Sequence, residues 1–329
     1  FEKRGLMRII AIEEHVTTPL YQQKQVDSPR RLASLADRKQ RVGHDVMAEM
    51  LDMSNSRVAA MNDSGIDLQV LSMTMPGPQG LPAAEAIAVA RDANDRIAAA
   101  VKAHPNRFAA FATLPTPDVK AAVAELQRTV GTLGFKGTMI NGHTNGEFLD
   151  DKKYWPIFEA AEALDVPVYL HPRDVPPAAA FYFAGYPEIA TAACGFTVDT
   201  TIHFMRLVFA GVFDAFPKLK FILGHLGEGI PFVLNRVEDH TGLAAKRRGL
   251  KRTFAEVMKE SVWVTTSGNF SPPALRCTVE VLGIDRVMFS VDWPYESNKI
   301  GVAFLNNLGL APPDLEKLAH GNAERLLRL

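Results

Sequence analysis

The chain contains 329 residues, of which 47% are hydrophobic and 22% are charged, and its formal net charge is −1. This composition indicates a soluble globular protein with an ample core, and it gives no indication of a nucleic-acid or membrane partner. The two cysteines, Cys194 and Cys277, have no metal-like spacing, which fits buried thiols in a reducing compartment. We therefore expect a cytoplasmic protein.

Residues 1–6 precede Met7 without any pattern, and we expect them to be a remnant of cloning outside the fold. Residues 7–329 are predicted to form a single domain in which strands alternate with helices. Residues 21–43 interrupt this rhythm with a long polar segment, which predicts a lid or a contact surface. The predicted strands are residues 9–12, 67–72, 108–113, 137–140, 167–170, 219–223, 262–265 and 287–290.

The predicted helices are residues 46–62, 82–103, 117–133, 154–164, 196–210, 230–239, 272–282, 313–320 and 322–327. Most of the strands are near-continuous apolar runs, as expected for parallel strands that are buried on both faces. Eight strand–helix units in a chain of this length predict an α/β fold of the (β/α)8 TIM barrel type. The alternative is a doubly wound open sheet, which would normally show a glycine-rich turn after the first strand. Here that position carries Glu13-Glu14-His15.

Potential metal ligands follow several predicted strands at the end where a barrel carries its active site. Glu13 and His15 are two residues apart, so they project to the same side of the first strand. A single Glu-x-His pair would more often be polar residues that follow a strand into a loop. However, His171, His225 and Asp292 close the fifth, sixth and eighth strands. Because imidazoles and carboxylates are typical zinc ligands, their convergence predicts a metal centre at the barrel mouth.

Five segments resemble the motifs of one enzyme superfamily. They are Glu13-x-His15, Tyr169-Leu170-His171-Pro172-Arg173, Ile222-Leu223-Gly224-His225-Leu226-Gly227-Glu228-Gly229, Thr266-Ser267-Gly268-Asn269-Phe270 and Phe289-Ser290-Val291-Asp292-Trp293-Pro294. Together they resemble the amidohydrolase superfamily. Within it they are most similar to the branch of metal-dependent decarboxylases that act on gamma-resorcylate (2,6-dihydroxybenzoate) and on 2-amino-3-carboxymuconate semialdehyde. The resemblance extends over nearly the whole chain, and the Glu-x-His start is more similar to the resorcylate side of this branch.

The resemblance implies a single metal ion. Binuclear members of the superfamily have a bridging lysine at the end of the fourth strand. In this sequence that position falls near Asn141, and Lys136 lies at the opposite end of the strand. The implied ion is zinc, with manganese as the alternative. Its implied ligands are Glu13, His15, His171 and Asp292. Four protein ligands leave room for a substrate only if the coordination number rises to five or six.

The resemblance also implies roles for individual residues. Asp292 is expected to deliver a proton to the substrate ring. His225, oriented by Glu228, is expected to hydrogen-bond the metal-bound group, although it could instead be a fifth ligand. Arg236 resembles a substrate-binding residue that reaches in from a neighbouring subunit, and a surface ion pair is the alternative. Asn269 follows the seventh strand and either lines the pocket or has no role there.

The function implied is non-oxidative decarboxylation of a hydroxybenzoate-type aromatic acid, in which the ring carbon is protonated before CO2 leaves. A metal-dependent hydrolase or hydratase is the alternative, because fold and ligands alone do not determine the reaction. A barrel without catalytic activity is a third reading. The expected partners are a small aromatic carboxylic acid and further copies of this chain. We expect a homodimer or homotetramer, with residues 21–43 and the loop around Phe181 as candidate contacts.

Overall fold

The computed structural model describes residues 7–25 and 39–329. The predicted remnant, residues 1–6, and residues 26–38 of the predicted polar segment lie outside the described residues. In the described chain the strands are β1 (Ile10–Val16), β2 (Leu68–Met73), β3 (Phe108–Ala110), β4 (Ala112–Thr113), β5 (Thr138–Asn141), β6 (Val168–His171), β7 (Phe221–Leu223), β8 (Val262–Thr265) and β9 (Val287–Met288).

Helices connect the strands and cover the outside of the sheet. They are α1 (Pro19–Lys24), α2 (Val46–Leu51), α3 (Asn55–Ser64), α4 (Ala83–Ala103), α5 (Val119–Gly131), α6 (Trp155–Ala163), α7 (Gly195–Ala210), α8 (Val212–Ala215), α9 (Ile230–Arg247), α10 (Phe254–Ser261), α11 (Pro272–Leu282), α12 (Asn298–Asn306), α13 (Pro312–Glu316) and α14 (Asn322–Leu327). No helix in the described ranges combines the length and the apolar character needed to cross a bilayer.

The strands pair in chain order, and every pair is parallel. The pairs form one sheet of β1, β2 and β3 and a second sheet from β4 to β9. The two sheets meet at Phe111, because its N–H donates to Leu71 O at 2.9 Å while Ala112 N donates to Gly137 O at 2.8 Å. The predicted third strand, residues 108–113, therefore pairs with β2 before Phe111 and with β5 after it.

The first strand also contacts the end of the last strand. Asp292 N donates to Glu13 O at 3.1 Å, and His15 N donates to Trp293 O at 2.6 Å. These bonds bring the two edges together, so the strands form the predicted (β/α)8 barrel even though the regular ladder is split into two sheets. Apolar side chains from alternate positions of the strands fill the barrel interior. Leu326 and Leu327 of α14 pack against this cluster.

Several predicted helix boundaries were wrong. The predicted helix 46–62 is two helices, because the Asp52 side chain accepts hydrogen bonds from Ser54 N at 2.6 Å and Ser56 N at 2.9 Å and so begins a new helix. Helix α9 continues well beyond the predicted end at residue 239, and Thr241 Oγ1 donates to Val237 O within it at 2.6 Å. The prediction also omitted α1, α8, α10 and α12.

Candidate metal centre

A change of register in β1 turns two of its polar side chains into the barrel. Ile12 packs in the apolar cluster inside the barrel, so strict alternation would turn Glu13 away from the interior. The pairing with β2 shifts between Ala11 and Glu14, as at a β-bulge, and such a bulge reverses the alternation. Glu13 and His15 consequently face inward, and Glu14 faces away from the barrel axis.

Glu13 is fully buried, and one of its oxygens is held by hydroxyl groups. Glu13 Oε2 accepts hydrogen bonds from Tyr169 Oη, from Ser267 Oγ at 2.5 Å and from Thr265 Oγ1 at 3.4 Å. A Cβ atom at Gly224 would lie 2.9 Å from the same oxygen, so this position in β7's carboxyl-terminal loop requires glycine. These contacts fix the carboxylate and leave Oε1 directed at the predicted ligands.

The four predicted ligands converge on a small volume. Glu13 Oε1 lies 3.3 Å from His171 Nε2 and 3.9 Å from His15 Nε2. Asp292 Oδ1 lies 3.1 Å from His15 Nε2. One donor atom from each of the four residues lies within 4.8 Å of all the others. Ligands about 2.1 Å from one ion are about 3 Å apart when adjacent and about 4.2 Å apart when opposite, so the spacing suits one metal ion.

The hydrogen bonding of these atoms also fits a metal ion. Glu13 Oε1, His15 Nε2 and Asp292 Oδ1 are buried and have no hydrogen-bond partner within residues 7–25 and 39–329. Buried polar atoms without partners are costly, and a shared cation would satisfy all of them. A set of two carboxylates and two imidazoles accommodates either zinc or manganese. Lys136 precedes β5 and donates its Nζ to Arg328 O at 3.0 Å, so it does not supply a bridging group at the mouth.

His225 lies beside this group on a turn with unusual backbone geometry. His225, Leu226 and Glu228 all have positive φ angles, of 51°, 59° and 54°. Each such non-glycine residue costs about 1 kcal/mol or more, and strained residues of this kind cluster at functional sites. His225 Nε2 lies 3.6 Å from Glu13 Oε1. His225 is nevertheless not one of the four residues whose donor atoms all lie close together.

Glu228 orients the His225 ring. Glu228 Oε1 lies 2.7 Å from His225 Nδ1, which fixes the proton on Nδ1 and leaves Nε2 for the site. Glu228 is itself held, because Thr197 Oγ1 donates to Glu228 Oε2 at 2.8 Å and Thr201 Oγ1 donates to Glu228 O at 2.8 Å. The structure therefore brings together His225 and Glu228 as a pair directed toward Glu13.

The carboxylates of the site raise the pKa values of two imidazoles. Burial opposes the charge on His15, but Asp292 and Glu13 outweigh it and raise the pKa of His15 to about 9. Burial also opposes the charge on His225, yet Glu228 and Glu13 raise its pKa to about 10. The site thus favours positive charge, which either protons or a competing metal ion can carry.

The two predicted substrate contacts lie outside the ligand group. Arg236 is exposed on α9 and is not one of the four grouped residues. Asn269 Nδ2 donates to His225 O at 3.5 Å. Asn269 therefore supports the turn that carries His225.

Polar residues that the sequence analysis did not select also lie at the mouth. Ser72 pairs with His15 in the β1–β2 ladder, and Asn141 pairs with His171 in the β5–β6 ladder. In the part of the chain that the structure describes, Ser72 Oγ, Asn141 Oδ1 and both amide atoms of Gln79 are buried without hydrogen-bond partners. The position of Asn141, directly after predicted strand 137–140, was a usable signal. Gln79 lies in a loop that offered none.

Comparisons with known proteins agree with this geometry. A family profile described as amidohydrolase matches residues 15–329. The gamma-resorcylate decarboxylase of Rhizobium radiobacter is 38% identical over 295 residues, which cover 87% of this chain and 90% of the relative. The strand-end motifs predicted from the sequence thus occur in a chain that is similar over most of its length to a known decarboxylase.

Two solved structures are similar in fold over nearly the whole chain. A 2,6-dihydroxybenzoate decarboxylase in complex with 2,6-dihydroxybenzoate has a TM-score of 0.87 at 34% identity, covering 98% of this chain and 99% of that chain. A dihydroxybenzoic acid decarboxylase from Polaromonas sp. contains bound manganese and the inhibitor 2-nitroresorcinol. It has a TM-score of 0.90 at 34% identity, covering 98% of this chain and 97% of that chain.

Proposed function

This chain belongs to the amidohydrolase family, and from that membership we propose that it is a metal-dependent, non-oxidative decarboxylase of a hydroxybenzoate-type aromatic acid. The observation that carries the proposal is the group of four buried side chains whose donor atoms lie within 4.8 Å of one another. The imidazole of His225, which Glu228 orients, lies next to this group. The similarity to decarboxylases of 2,6-dihydroxybenzoate makes that compound the first substrate to test.

Glu13, His15, His171 and Asp292 would hold one divalent ion. When bound, such an ion supplies a Lewis acid that anchors and polarises the oxygens of the substrate. Zinc is the ion first expected from the sequence. The manganese in the Polaromonas neighbour supports manganese for this chain, and zinc is the alternative.

Asp292 would donate the proton that starts the reaction. Its carboxyl group protonates the ring carbon that bears the carboxylate, and the ring loses aromaticity. The carbon–carbon bond then breaks, its electron pair returns to the ring, and CO2 leaves. The ring regains aromaticity with hydrogen in place of the carboxylate, and Asp292 takes up a proton before the next turnover. General acid catalysis of this kind typically contributes about 10²–10⁴-fold to the rate.

His225 would hydrogen-bond the bound substrate through Nε2, since Glu228 holds the opposite ring nitrogen at 2.7 Å. Asn141 Oδ1 and the Gln79 amide would bind a ring hydroxyl, because these buried atoms have no hydrogen-bond partner among the described residues. A substrate with hydroxyl groups would satisfy these amides, whereas an unsubstituted benzoate would leave them unpaired at a cost of about 1–3 kcal/mol.

We further propose that the enzyme acts as a homodimer or homotetramer. Phe181, Tyr182 and Phe232 expose large aromatic side chains to solvent, with Phe232 84% exposed. Phe181 and Tyr182 lie together, with ring centroids 4.1 Å apart, and exposed apolar patches often mark contacts between subunits. In such an assembly Arg236, exposed on α9 near Phe232, would reach the site of a neighbouring subunit.

The test is a panel of hydroxybenzoates with manganese-loaded protein, followed by the reverse reaction. The protein should release CO2 from 2,6-dihydroxybenzoate and should carboxylate resorcinol in concentrated bicarbonate. A hydrolase or hydratase on the same scaffold would catalyse neither reaction. Absence of CO2 release from every hydroxybenzoate of the panel, in folded protein that contains one manganese per chain, would refute the proposed function.

A further inference from the structure

Glu14, the residue between two proposed ligands, carries a second buried carboxylate that the proposed reaction does not use. Glu14 is fully buried, and the four hydrogen-bond partners that it has among the described residues are all donors. Glu14 Oε1 accepts from Val291 N at 3.0 Å and from Ser290 Oγ at 3.1 Å. Glu14 Oε2 accepts from Trp293 N at 3.1 Å and from Gln69 Nε2 at 3.3 Å. Four donors match the acceptor capacity of an ionised carboxylate.

These bonds enclose Asp292. Val291 and Trp293 flank it, and both donate their backbone N–H groups to Glu14. The Asp292 N–H donates to Glu13 O at 3.1 Å. The backbone N–H groups of the three successive residues 291–293 thus all donate hydrogen bonds to residues of β1. Asp292 has a φ of 77°, which is a costly conformation for a residue with a side chain. The surrounding hydrogen bonds are what hold it there.

Arg57 supports the charge of Glu14 without touching it. Arg57 is fully buried, and its Nη1 donates to Gln69 Oε1 at 3.2 Å while Gln69 Nε2 donates to Glu14. Arg57 Nη2 also donates to His15 O at 2.6 Å. Arg57 is therefore linked to Glu14 through Gln69, and its charge adds to the four donors that surround the Glu14 carboxylate.

We propose that Glu14 is a positioning residue, whose carboxylate clamps the backbone on both sides of Asp292 and thereby sets where the Asp292 carboxylate lies in the metal site. The proposal rests on the proposed function for the catalytic role of Asp292. The bulge in β1 explains how one strand can both bind the metal and position Asp292. It turns Glu13 and His15 inward, and it turns Glu14 toward the segment that carries Asp292.

The first test is Glu14→Gln. An amide has one acceptor oxygen and one NH2 group, so in either orientation it presents N–H groups to Val291 N or to Trp293 N. One side of the clamp must therefore open. The metal-depleted variant should bind Mn²⁺ about 10–100-fold more weakly than the parent, the range expected when a group that orients a ligand is lost. Its kcat should fall by a similar factor, with less change in KM.

Glu125→Gln is the matched control. Glu125 is also a buried carboxylate that accepts hydrogen bonds, from Asn94 Nδ2 at 2.7 Å and from Arg128 Nη2 at 2.6 Å, but it lies on α5, away from Asp292. The Glu125→Gln substitution should lower the midpoint of thermal unfolding and leave the Mn²⁺ affinity unchanged. A loss of Mn²⁺ affinity in the control equal to that in Glu14→Gln would assign the effect to general destabilisation and overturn the proposal.

Ser290→Ala is a second variant, which keeps the test decisive if Glu14→Gln does not fold. It removes the hydroxyl that donates to Glu14 and accepts from Glu13 N at 2.6 Å, and it should weaken Mn²⁺ binding several-fold. Unchanged Mn²⁺ affinity in a folded Glu14→Gln, or in Ser290→Ala if the former does not fold, would overturn the proposal. Because Mn²⁺ affinity is measured without substrate, a parent protein that binds Mn²⁺ but decarboxylates nothing would refute only the proposed function.

Discussion

The carboxylate of Asp292 and the imidazole of His15 lie 3.1 Å apart, measured from Oδ1 to Nε2. His15 belongs to the first strand and Asp292 follows the last, so this contact crosses the line along which the barrel closes. The proposed metal ion would therefore join the two ends of the domain. We expect metal binding to stabilise the whole fold, because a ligand that binds only the folded state shifts the unfolding equilibrium.

The metal content is the first prediction. Purified protein supplied with manganese should contain about one ion per chain, since the four ligands enclose one small volume. Substituting His171→Ala should empty the site and remove the metal-dependent rise in the unfolding midpoint. Elemental analysis together with thermal unfolding measures both. Two ions per chain would contradict the single site, and full occupancy in the variant would remove His171 from the ligand set.

A second prediction separates Asp292 from His225. Asp292→Asn retains an oxygen that can bind metal but has no carboxylic proton to deliver. Turnover should therefore fall by about 10²–10⁴-fold, while part of the metal remains. His225→Asn should also lower turnover but keep near-normal metal content, because His225 lies beside the four ligands. Retained decarboxylation in the first variant would reject Asp292 as the proton donor, and metal loss in the second would make His225 a ligand.

A third prediction concerns assembly. Light scattering at micromolar concentration should give at least twice the chain mass of 36.1 kDa. If Arg236 serves a neighbouring site, Arg236→Ala should raise KM without changing the metal content. A monomeric mass would contradict the oligomer and, with it, any role of Arg236 across an interface.

A fourth prediction uses a buried histidine far from the ligand group in sequence. His203 is fully buried on α7, and its Nε2 accepts the Leu149 N–H at 2.9 Å. Burial, followed by the charges of His143 and Arg206, lowers the pKa of His203 to about 3 from an ordinary 6.5. Between these values the unfolded chain binds the proton and the folded chain does not. Stability should therefore decline as the pH falls below 6.5, by up to about 1.4 kcal/mol per pH unit from this residue.

Urea unfolding of metal-depleted protein at pH 7.5 and pH 5 provides the measurement. His203→Gln keeps an acceptor for the Leu149 N–H but cannot titrate. Its free energy of unfolding should decline less between the two pH values than that of the parent. Equal declines in the two proteins would show that His203 does not resist protonation in the folded state.

The sequence predicted the barrel and the ligand residues because both depend on repeated local signals. Parallel strands give apolar runs, and polar residues at their ends are visible without knowledge of packing. His171 was selected in this way. The face toward which Glu13 points was not predictable by alternation from the apolar residues before it, because the register shift between Ala11 and Glu14 becomes visible only in the pairing with β2.

The residues missed by the sequence analysis act through contacts between distant segments. Glu14 contacts Gln69 and the backbone of residues 291 and 293, and no pattern within β1 indicates such partners. Gln79 lies in a loop, and its burial follows from the packing of neighbouring strand ends. The helix break after residue 51, which the sequence did not predict, has a more local cause, since the Asp52 side chain competes for backbone N–H groups that a continuous helix would use internally.

The most direct measurement of the central claim is the decarboxylation of 2,6-dihydroxybenzoate in D2O by manganese-loaded protein. We predict equal amounts of CO2 and of resorcinol, with one deuterium on the carbon that carried the carboxylate. Metal-depleted protein should give neither product, and returned manganese should restore both. Folded, manganese-loaded protein that forms no resorcinol, or protein that forms it equally well after the metal is removed, would contradict a metal-dependent decarboxylase of 2,6-dihydroxybenzoate.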